Sequence, residues 1–210
     1  MANQAGPVCR LCRREGAKLY LKGAKCVTPS CPFDKRSGLL PGQHGLARRR
    51  KSSDYGIQLR AKQKARRIYG VLETQFRHYF ERAESAQGVT GTALLQQLER
   101  RLDNVVYRLG LASSRREARQ LVSHRHFKVN GRALNIASAQ LRPGDIVEVR
   151  ERSRKMLVLE NAQQLVTGRS VPDWLTLDAA ALRGTVMRLP ERHEMEIQVE
   201  EQLIVEYYSR

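Results

Sequence analysis

The sequence predicts a mixed α+β fold that is mainly helical in its first half. Between residues 54 and 124, apolar residues recur at the three- and four-residue spacing of an α-helix. Asn130-Gly131 then follows a short apolar stretch and is typical of a β-hairpin turn. Ile146-Val147-Glu148-Val149, after the turn sequence Pro143-Gly144-Asp145, alternates like a half-buried strand.

The predicted helices have recognisable ends. They span residues 55–68, 73–86, 90–109 and 115–124. Hydroxyl or carboxyl side chains at 52–54 and at Ser113-Ser114 offer N-caps, and Gly70 ends the first helix. Thr90 can cap the third helix, which we expect to break near Arg101.

Shorter elements are predicted beyond the hairpin. Residues 153–167 have a helical pattern, and short strands are expected at 174–177 and 185–189. The C-terminal EEQLIVEYYSR is compatible with either a helix or a strand.

The chain is strongly basic, with a formal net charge of +17 and a pI of about 10.4. Residues 1–70 hold 17 Lys+Arg against 3 Asp+Glu, whereas residues 151–210 hold 8 against 10. Such a basic excess indicates a polyanionic partner, most often nucleic acid. The slightly acidic end could face a basic protein or simply be a solvated surface.

Several protein classes are disfavoured by what the sequence lacks. It has no apolar run of membrane-spanning length and no apolar signal-peptide core, so we expect a soluble cytosolic protein that does not bind membranes. It also lacks a P-loop, a dinucleotide-binding glycine pattern, a nucleophile elbow and an HExxH motif. We therefore expect neither a catalytic site nor a small-molecule substrate.

The cysteines predict a metal site in the first 45 residues. Residues 1–45 are rich in Gly, Pro, Lys and Arg and show no apolar core of their own. We therefore expect that binding of a metal or of RNA is needed to order them. The expected ligands are Cys9, Cys12, Cys26 and Cys31. Four thiolates suit a closed structural Zn²⁺ site, although a 4Fe-4S cluster has the same ligand set. The other possibility is four unligated thiols.

Basic residues beside the cysteines give this segment a second predicted role. Arg10, Arg13 and Arg14 lie between and next to the expected ligands. We hypothesise that metal binding folds the segment so that these arginines meet RNA.

A helix with an arginine-rich flank is the strongest candidate for RNA binding. On the 115–124 helix, Ala118, Leu121 and Val122 share one face, and three arginines share a neighbouring one. The predicted contacts are Arg115, Arg116 and Arg119, with Lys128 and Arg132 from the adjoining hairpin. Guanidinium groups held on a helix can pair with phosphate oxygens. The alternative is an ordinary solvated helix surface.

A second basic stretch precedes and enters the first long helix. Its candidate phosphate contacts are Arg48, Arg49, Arg50, Lys51, Arg60, Lys62, Lys64, Arg66 and Arg67. Tyr55 and Tyr69 flank the helix and could either stack on unpaired bases or pack at the edge of the hydrophobic core. The histidines, including His124 and His126, are expected to be structural or to face phosphate rather than to act as bases or ligands.

These motifs resemble a known family. RLDNVVYRLG, SRREARQLV and VNG are similar to the small RNA-binding domain named after bacterial small-subunit ribosomal protein four. That domain also occurs in pseudouridine synthases, tyrosyl-tRNA synthetases and heat-shock RNA-binding proteins. However, PGQHG at 41–45, SDYGIQLRAKQKARRIYGV at 53–71 and EQLIVEYYSR at the C-terminus resemble the ribosomal family itself, so the resemblance covers nearly the full length.

The resemblance implies a structural, non-enzymatic component of the small ribosomal subunit in the cytoplasm. Its implied partners are 16S ribosomal RNA, whose five-prime domain the family helps to fold, and ribosomal protein five, with which it influences decoding accuracy. Messenger RNA would pass near 48–51. Many members also repress translation of their own messenger RNA. The expected protein contact comprises Glu200, Glu201 and Glu206.

Three domains are predicted. They are a metal-binding basic extension at 1–45, a helical domain at 46–98 completed by 168–210, and an inserted RNA-binding domain of two helices and a short sheet at 99–167. Some members of the family keep such cysteines and others lack them, so the resemblance is compatible with a metal.

Two other functions share some of these features. An RNA-modifying enzyme can contain the same RNA-binding domain, but residues 151–210 are too short for a catalytic domain and contain no matching aspartate motif. A zinc-dependent DNA-binding regulator would bind duplex DNA in preference to structured RNA.

Overall fold

The computed structural model describes residues 6–36, 38–46, 51–166 and 170–210. The chain divides into two compact units, which are described separately. The first comprises Met1–Leu94 and Ile197–Arg210, and the second comprises Leu95–Glu196. The three-domain division at 1–45, 46–98 with 168–210, and 99–167 stays a prediction. In the part of the chain described, no helix is long and apolar enough to cross a bilayer.

The first unit is helical. Its helices are α1 (Cys9–Glu15), α2 (Pro32–Lys35), α3 (Asp54–Tyr69), α4 (Glu73–Glu84), the start of α5 (Thr90–Glu99), and the C-terminal helix, α9 (Glu201–Tyr208). The basic helix α3 is confirmed. It is capped by Ser53, whose Oγ accepts a hydrogen bond from the Gly56 N–H at 3.3 Å, and it ends at Gly70 in the left-handed conformation (φ 64°).

The ambiguous C-terminal segment is a helix because it packs against α3 and α4. Ile204 is fully buried, and the Tyr208 ring stacks on Phe80 with centroids 4.5 Å apart. Glu206 Oε2 accepts a hydrogen bond from Gln58 Nε2 at 2.9 Å. These tertiary contacts select the helix where the local pattern allowed two structures.

The N-terminal segment buries a small core, and the prediction of a metal-bound extension is wrong. Val8 and Leu19 are buried with three of the cysteines, and α1 ends at Gly16 in the left-handed conformation. Within the described ranges, which include all four cysteines, no group of three or more His, Cys, Asp or Glu could hold a metal ion. Neither Zn²⁺ nor a 4Fe-4S cluster is therefore supported.

The cysteines are free thiols that serve as packing groups. Cys26 Sγ accepts a hydrogen bond from the Lys22 N–H at 3.3 Å. Burial raises the pKa of Cys12 and of Cys26. The Cys-x2-Cys and Cys-x4-Cys pairs offer suitable residue types, but no described group of residues has the geometry that a metal requires.

The second unit combines helices with a five-stranded sheet. After the end of α5 it contains α6 (Leu102–Arg108), α7 (Arg115–Ser123), β1 (Phe127–Val129), β2 (Arg132–Ala133), β3 (Ile146–Val149), α8 (Leu157–Val166), β4 (Leu175–Asp178) and β5 (Arg183–Val186). The strands are antiparallel in the order β2-β1-β3-β5-β4. Residues 151–153 form a 3₁₀ turn, so α8 starts later than predicted.

The helices and the sheet of this unit share one apolar core. Phe127, Val147 and Trp174 lie in it together with apolar residues of α6 and α7. The mixed α+β class, helical with a small antiparallel sheet, is therefore confirmed.

The hairpin turn is tied to the following turn by one side chain. Asn130 and Gly131 both have positive φ, as a type I′ turn requires. Asn130 Nδ2 donates to Asp145 Oδ1 and its Oδ1 accepts from the Ile146 N–H, both at 2.9 Å. The predicted hairpin is confirmed, and its position is fixed beside β3.

We predict that Gly184→Ala will destabilise the second unit. A methyl group at Gly184 would lie 3.0 Å from Leu109 Cγ and closer still to both Leu109 methyl groups. Such overpacking costs about 1–3 kcal/mol. Urea unfolding followed by the fluorescence of Trp174, the single tryptophan, would measure the loss. In a Leu109→Ala background the same change should cost much less; an unchanged cost would show that the close approach is not its source.

Candidate nucleic-acid interface

Helix α7 is anchored at its N-terminus by reciprocal side-chain hydrogen bonds. Ser114 Oγ accepts from the Glu117 N–H at 3.2 Å, and Glu117 Oε2 accepts from the Ser113 N–H at 2.6 Å. Ala118, Leu121 and Val122 are buried, as predicted. The helix therefore holds its basic flank in a fixed position.

Arg115, on that flank, is held by protein contacts. Its Nε donates to Asn104 Oδ1 at 2.7 Å, and its guanidinium lies over the Tyr107 ring, 4.5 Å from the centroid. Asn104 is buried and donates to Glu99 Oε2 at 2.7 Å. A chain of contacts thus links Arg115 to a buried carboxylate.

The other two arginines of α7 differ in exposure. The Arg119 side chain is only 12% exposed, with Nη1 3.9 Å from Asp103 Oδ2, and Arg101 also pairs with Asp103. Arg116, by contrast, is exposed. The hairpin adds Arg132, which is exposed, and Lys128, which is half-buried and lies opposite Glu148 in the register of β1 and β3. The outward charge of this flank therefore comes chiefly from Arg116 and the hairpin.

In the first unit, Lys62 is buried inside a charged and aromatic cluster. Its Nζ lies 2.6 Å from Glu73 Oε1 and 4.3 Å from the centroid of the Tyr207 ring. Burial tends to raise the pKa of Glu73, but the hydrogen bond and charge of Lys62 outweigh it and leave that pKa below its usual value. Tyr208 donates to Glu73 Oε1 at 3.1 Å, and burial and the Glu73 charge raise the pKa of its phenol.

Three more predicted RNA contacts on α3 form ion pairs within the protein. The Glu15 side chain is 2% exposed and pairs with Arg67 and with Arg60, whose Nη1 lies 3.1 Å away. Arg66 Nη1 lies 3.4 Å from Glu73 Oε2. Lys64 is half-buried. The acidic side chains therefore engage much of the positive charge of α3.

The remaining predicted site residues lie in different surroundings. Arg10, Arg14 and Lys51 are exposed and Arg13 is half-buried, whereas Arg48, Arg49 and Arg50 lie outside the described residues. Of the predicted protein-contact residues, Glu200 is exposed, and Glu201 and Glu206 are half-buried.

Comparison with known proteins identifies the family. Residues 3–99 match the family described as "Ribosomal protein S4/S9 N-terminal domain", and residues 100–147 match the "S4 domain". The chain is 61% identical to "Small ribosomal subunit protein uS4A" of Symbiobacterium thermophilum, over 100% of both chains. It is 57% and 56% identical to proteins named "Small ribosomal subunit protein uS4" from Natranaerobius thermophilus and Geotalea uraniireducens, again over 100% of each chain.

The chain belongs to the ribosomal protein S4 family. The resemblance predicted from the motifs is thereby confirmed over the full length. The α6, α7 and hairpin region falls largely within the stretch that matches the S4 domain of this family. The family descriptions and the names of these relatives mention no metal or cofactor.

Sequence reasoning missed one basic cluster of this S4 family member. It lies where α7 ends and comprises His124, Arg125, His126, Arg150 and Arg152, hereafter the α7 corner. The run HRHFK and the basic residues of RERSR were visible as letters, but their proximity depends on the pairing of β1 with β3.

We predict that Arg115→Ala and Arg116→Ala will affect stability very differently. Loss of the Arg115 side chain removes its contact with Tyr107 and leaves the buried Asn104 carbonyl without this donor, which should cost about 2 kcal/mol. Arg116 is exposed, and its loss should change stability by less than about 0.5 kcal/mol. Urea unfolding monitored at Trp174 compares the two; equal effects would contradict the structural role of Arg115.

Proposed function

We propose that the chain is a structural, non-enzymatic component of the small ribosomal subunit that binds ribosomal RNA. The observation that carries this proposal is the full-length similarity, at 61% identity, to a protein named as a small-subunit ribosomal protein. The net charge of +17 and the exposed arginines beside α7 supply the electrostatics that RNA binding needs. An enzymatic RNA modifier is not favoured, because residues 3–99 match a ribosomal N-terminal domain and the full-length relatives are named as ribosomal proteins.

In the second unit, the α7 flank and the hairpin form the proposed RNA surface. Arg116 of α7 and Arg132 of the hairpin are the direct phosphate contacts of this proposal, because both are exposed. Arg115, Arg119 and Lys128 lie at its border. Arg115 and Arg119 also hold α7 against α6, so their contribution to RNA binding includes positioning the helix.

In the first unit, we assign a different weight to each predicted contact. Arg10, Arg13, Arg14 and Lys51 present positive charge at or near the surface, and Arg48, Arg49 and Arg50 extend the same basic run in the sequence. The Glu15 and Glu73 ion pairs make Arg60, Lys62, Arg66 and Arg67 chiefly structural. Lys64 remains a proposed phosphate contact.

The family membership suggests where this protein acts. We propose that it binds 16S ribosomal RNA early in assembly, in the five-prime domain, and that it works within the cytoplasmic ribosome. Residues 48–51 would lie near the path of messenger RNA. The acidic residues Glu200, Glu201 and Glu206 would contact ribosomal protein five and so influence decoding accuracy. Repression of its own messenger RNA is a further proposed activity.

Among the acidic residues, the structure favours Glu200 as the most available contact. Glu200 is exposed just before α9, whereas Glu206 already accepts a hydrogen bond from Gln58. A partner that engages Glu206 would have to share it with α3. Glu200→Gln therefore tests the protein contact without removing a hydrogen bond to α3, as a substitution of Glu206 would.

We expect the full-length protein to bind a five-prime-domain fragment of 16S RNA more tightly than duplex DNA of equal length at the same salt concentration. In the Arg116→Ala/Arg132→Ala variant, the slope of log affinity against log salt should fall by about two, because each phosphate contact contributes about one unit. Filter binding over a salt series measures both quantities.

The matched control for this experiment is Arg77→Ala/Arg82→Ala. It removes two exposed arginines from α4, outside the proposed surface. It should leave the slope nearly unchanged. Equal slopes for the two double variants would refute the α7 surface, and a preference for duplex DNA would refute the ribosomal role.

A further inference from the structure

The α7 corner is held together by hydrogen bonds between the end of α7 and the end of β3. The Arg150 N–H donates to the His126 carbonyl at 2.9 Å, and Arg150 Nη1 donates to the Arg125 carbonyl at 3.2 Å. His126 Nδ1 lies 3.0 Å from Oγ of the buried Ser153. The backbone that carries these five basic side chains is therefore fixed by hydrogen bonds between the end of α7 and the end of β3.

The backbone at Arg125 has a conformation that favours glycine. Arg125 has φ of 61°, and its N–H donates to the Val122 carbonyl at 2.9 Å. The His126 N–H donates to the Leu121 carbonyl at 3.2 Å. These two bonds form a Schellman motif, whose left-handed position is usually glycine because a Cβ is strained there. A long cationic side chain occupies this position despite the strain.

Basic residues at the corner outnumber the carboxylates next to them in the sequence. The His126 pKa is lowered first by burial, and then by the nearby His124, Arg152 and Arg150. Of the carboxylates next to these residues in sequence, Glu148 lies 3.4 Å from Arg183, and Glu151 is exposed. The corner therefore concentrates positive charge on a rigid part of the surface, where an anion would be stabilised.

We propose that the α7 corner is a binding site for phosphate groups of the RNA backbone, with Arg125 as a direct phosphate contact. This proposal rests on the RNA-binding function proposed for the chain, and it adds three arginines, Arg125, Arg150 and Arg152, that lie outside the predicted contacts. Arg125 and Arg152 are exposed, and the Arg150 guanidinium is already oriented by its bond to the Arg125 carbonyl. Contact with a phosphate offsets the backbone strain that Arg125 imposes on the free protein.

The strain allows a sharp test with three substitutions at one position. Arg125→Gly removes both the guanidinium and the strain, Arg125→Ala removes only the guanidinium, and Arg125→Lys keeps a positive charge. In the full-length protein, the glycine and alanine variants should each bind the 16S fragment about fivefold more weakly, with a salt slope lower by about one. Lysine should retain most of the affinity.

Measurements of stability distinguish a phosphate-binding role of Arg125 from a purely structural one. Arg125→Gly should shift the urea midpoint, read at Trp174, to higher urea, whereas Arg125→Ala should not raise it. A variant that is more stable yet binds RNA more weakly supports the proposal. If both variants bind with wild-type affinity and slope, the site is overturned even though the wild-type protein binds RNA. If the wild-type protein binds no RNA, the proposed function itself fails.

The two histidines provide an independent measurement. A bound phosphate favours protonated imidazole, so wild-type affinity should rise as the pH falls to about 5, because the pKa of His126 in the free protein lies below the usual histidine value. The groups near the His126 ring are His124 from the end of α7, Arg150 from the end of β3, and Arg152 and Ser153 from the following turn.

The variant His124→Gln/His126→Gln should lose most of this rise in affinity. The matched His78→Gln variant, which changes an exposed histidine of α4, should keep it. An equal rise in affinity in the double variant and the wild type would show that the histidines do not contribute to phosphate binding. Displacement of the RNA by poly-glutamate at equal charge concentration would point to an acidic protein partner and would overturn the assignment to RNA.

Discussion

The buried carboxylate of Glu99 organises the helices of the second unit. It accepts two hydrogen bonds from Arg108, at 2.9 and 3.0 Å, and one from Asn104 at 2.7 Å. Asn104 in turn accepts from Arg115, so a single acid at the end of α5 fixes both α6 and the start of α7. Because a buried charge without partners costs several kcal/mol, these groups must be arranged together or not at all. The position of the basic flank follows from that constraint.

The same chemistry explains why a chain with so much positive charge can fold. Glu15 and Glu73 in the first unit, like Glu99 and Asp103 in the second, form ion pairs with arginines or lysines. Each holds basic side chains against the protein, where they tie helices together. The basic residues that such acids do not engage are the ones left to interact with an external polyanion.

The sequence correctly predicted the helix ends and the turn that depend on their own residues. Ser53 and Gly70 marked the ends of α3, and Asn130-Gly131 marked the hairpin, because caps and positive-φ turns depend on the residues themselves. The C-terminal helix depended on burial of Ile204, which no local pattern reveals. The predicted metal is wrong because spacing fixes only residue types, and no described group of three or more His, Cys, Asp or Glu could hold a metal ion. Burial of Lys62 was equally hidden, since its partners Glu73 and Tyr207 are distant in sequence from each other.

Arg125 shows why a charge count alone could not locate the interface. In sequence it is one basic residue among 38, and a helix end gives no reason to prefer it. The structure distinguishes it by its left-handed backbone, which glycine would adopt at lower cost. Inside the protein Arg125 contributes mainly its carbonyl, as the acceptor for Arg150. Glycine could supply that carbonyl equally well, so the part of Arg125 that distinguishes it is an exposed guanidinium, which is the group that the proposed phosphate contact uses.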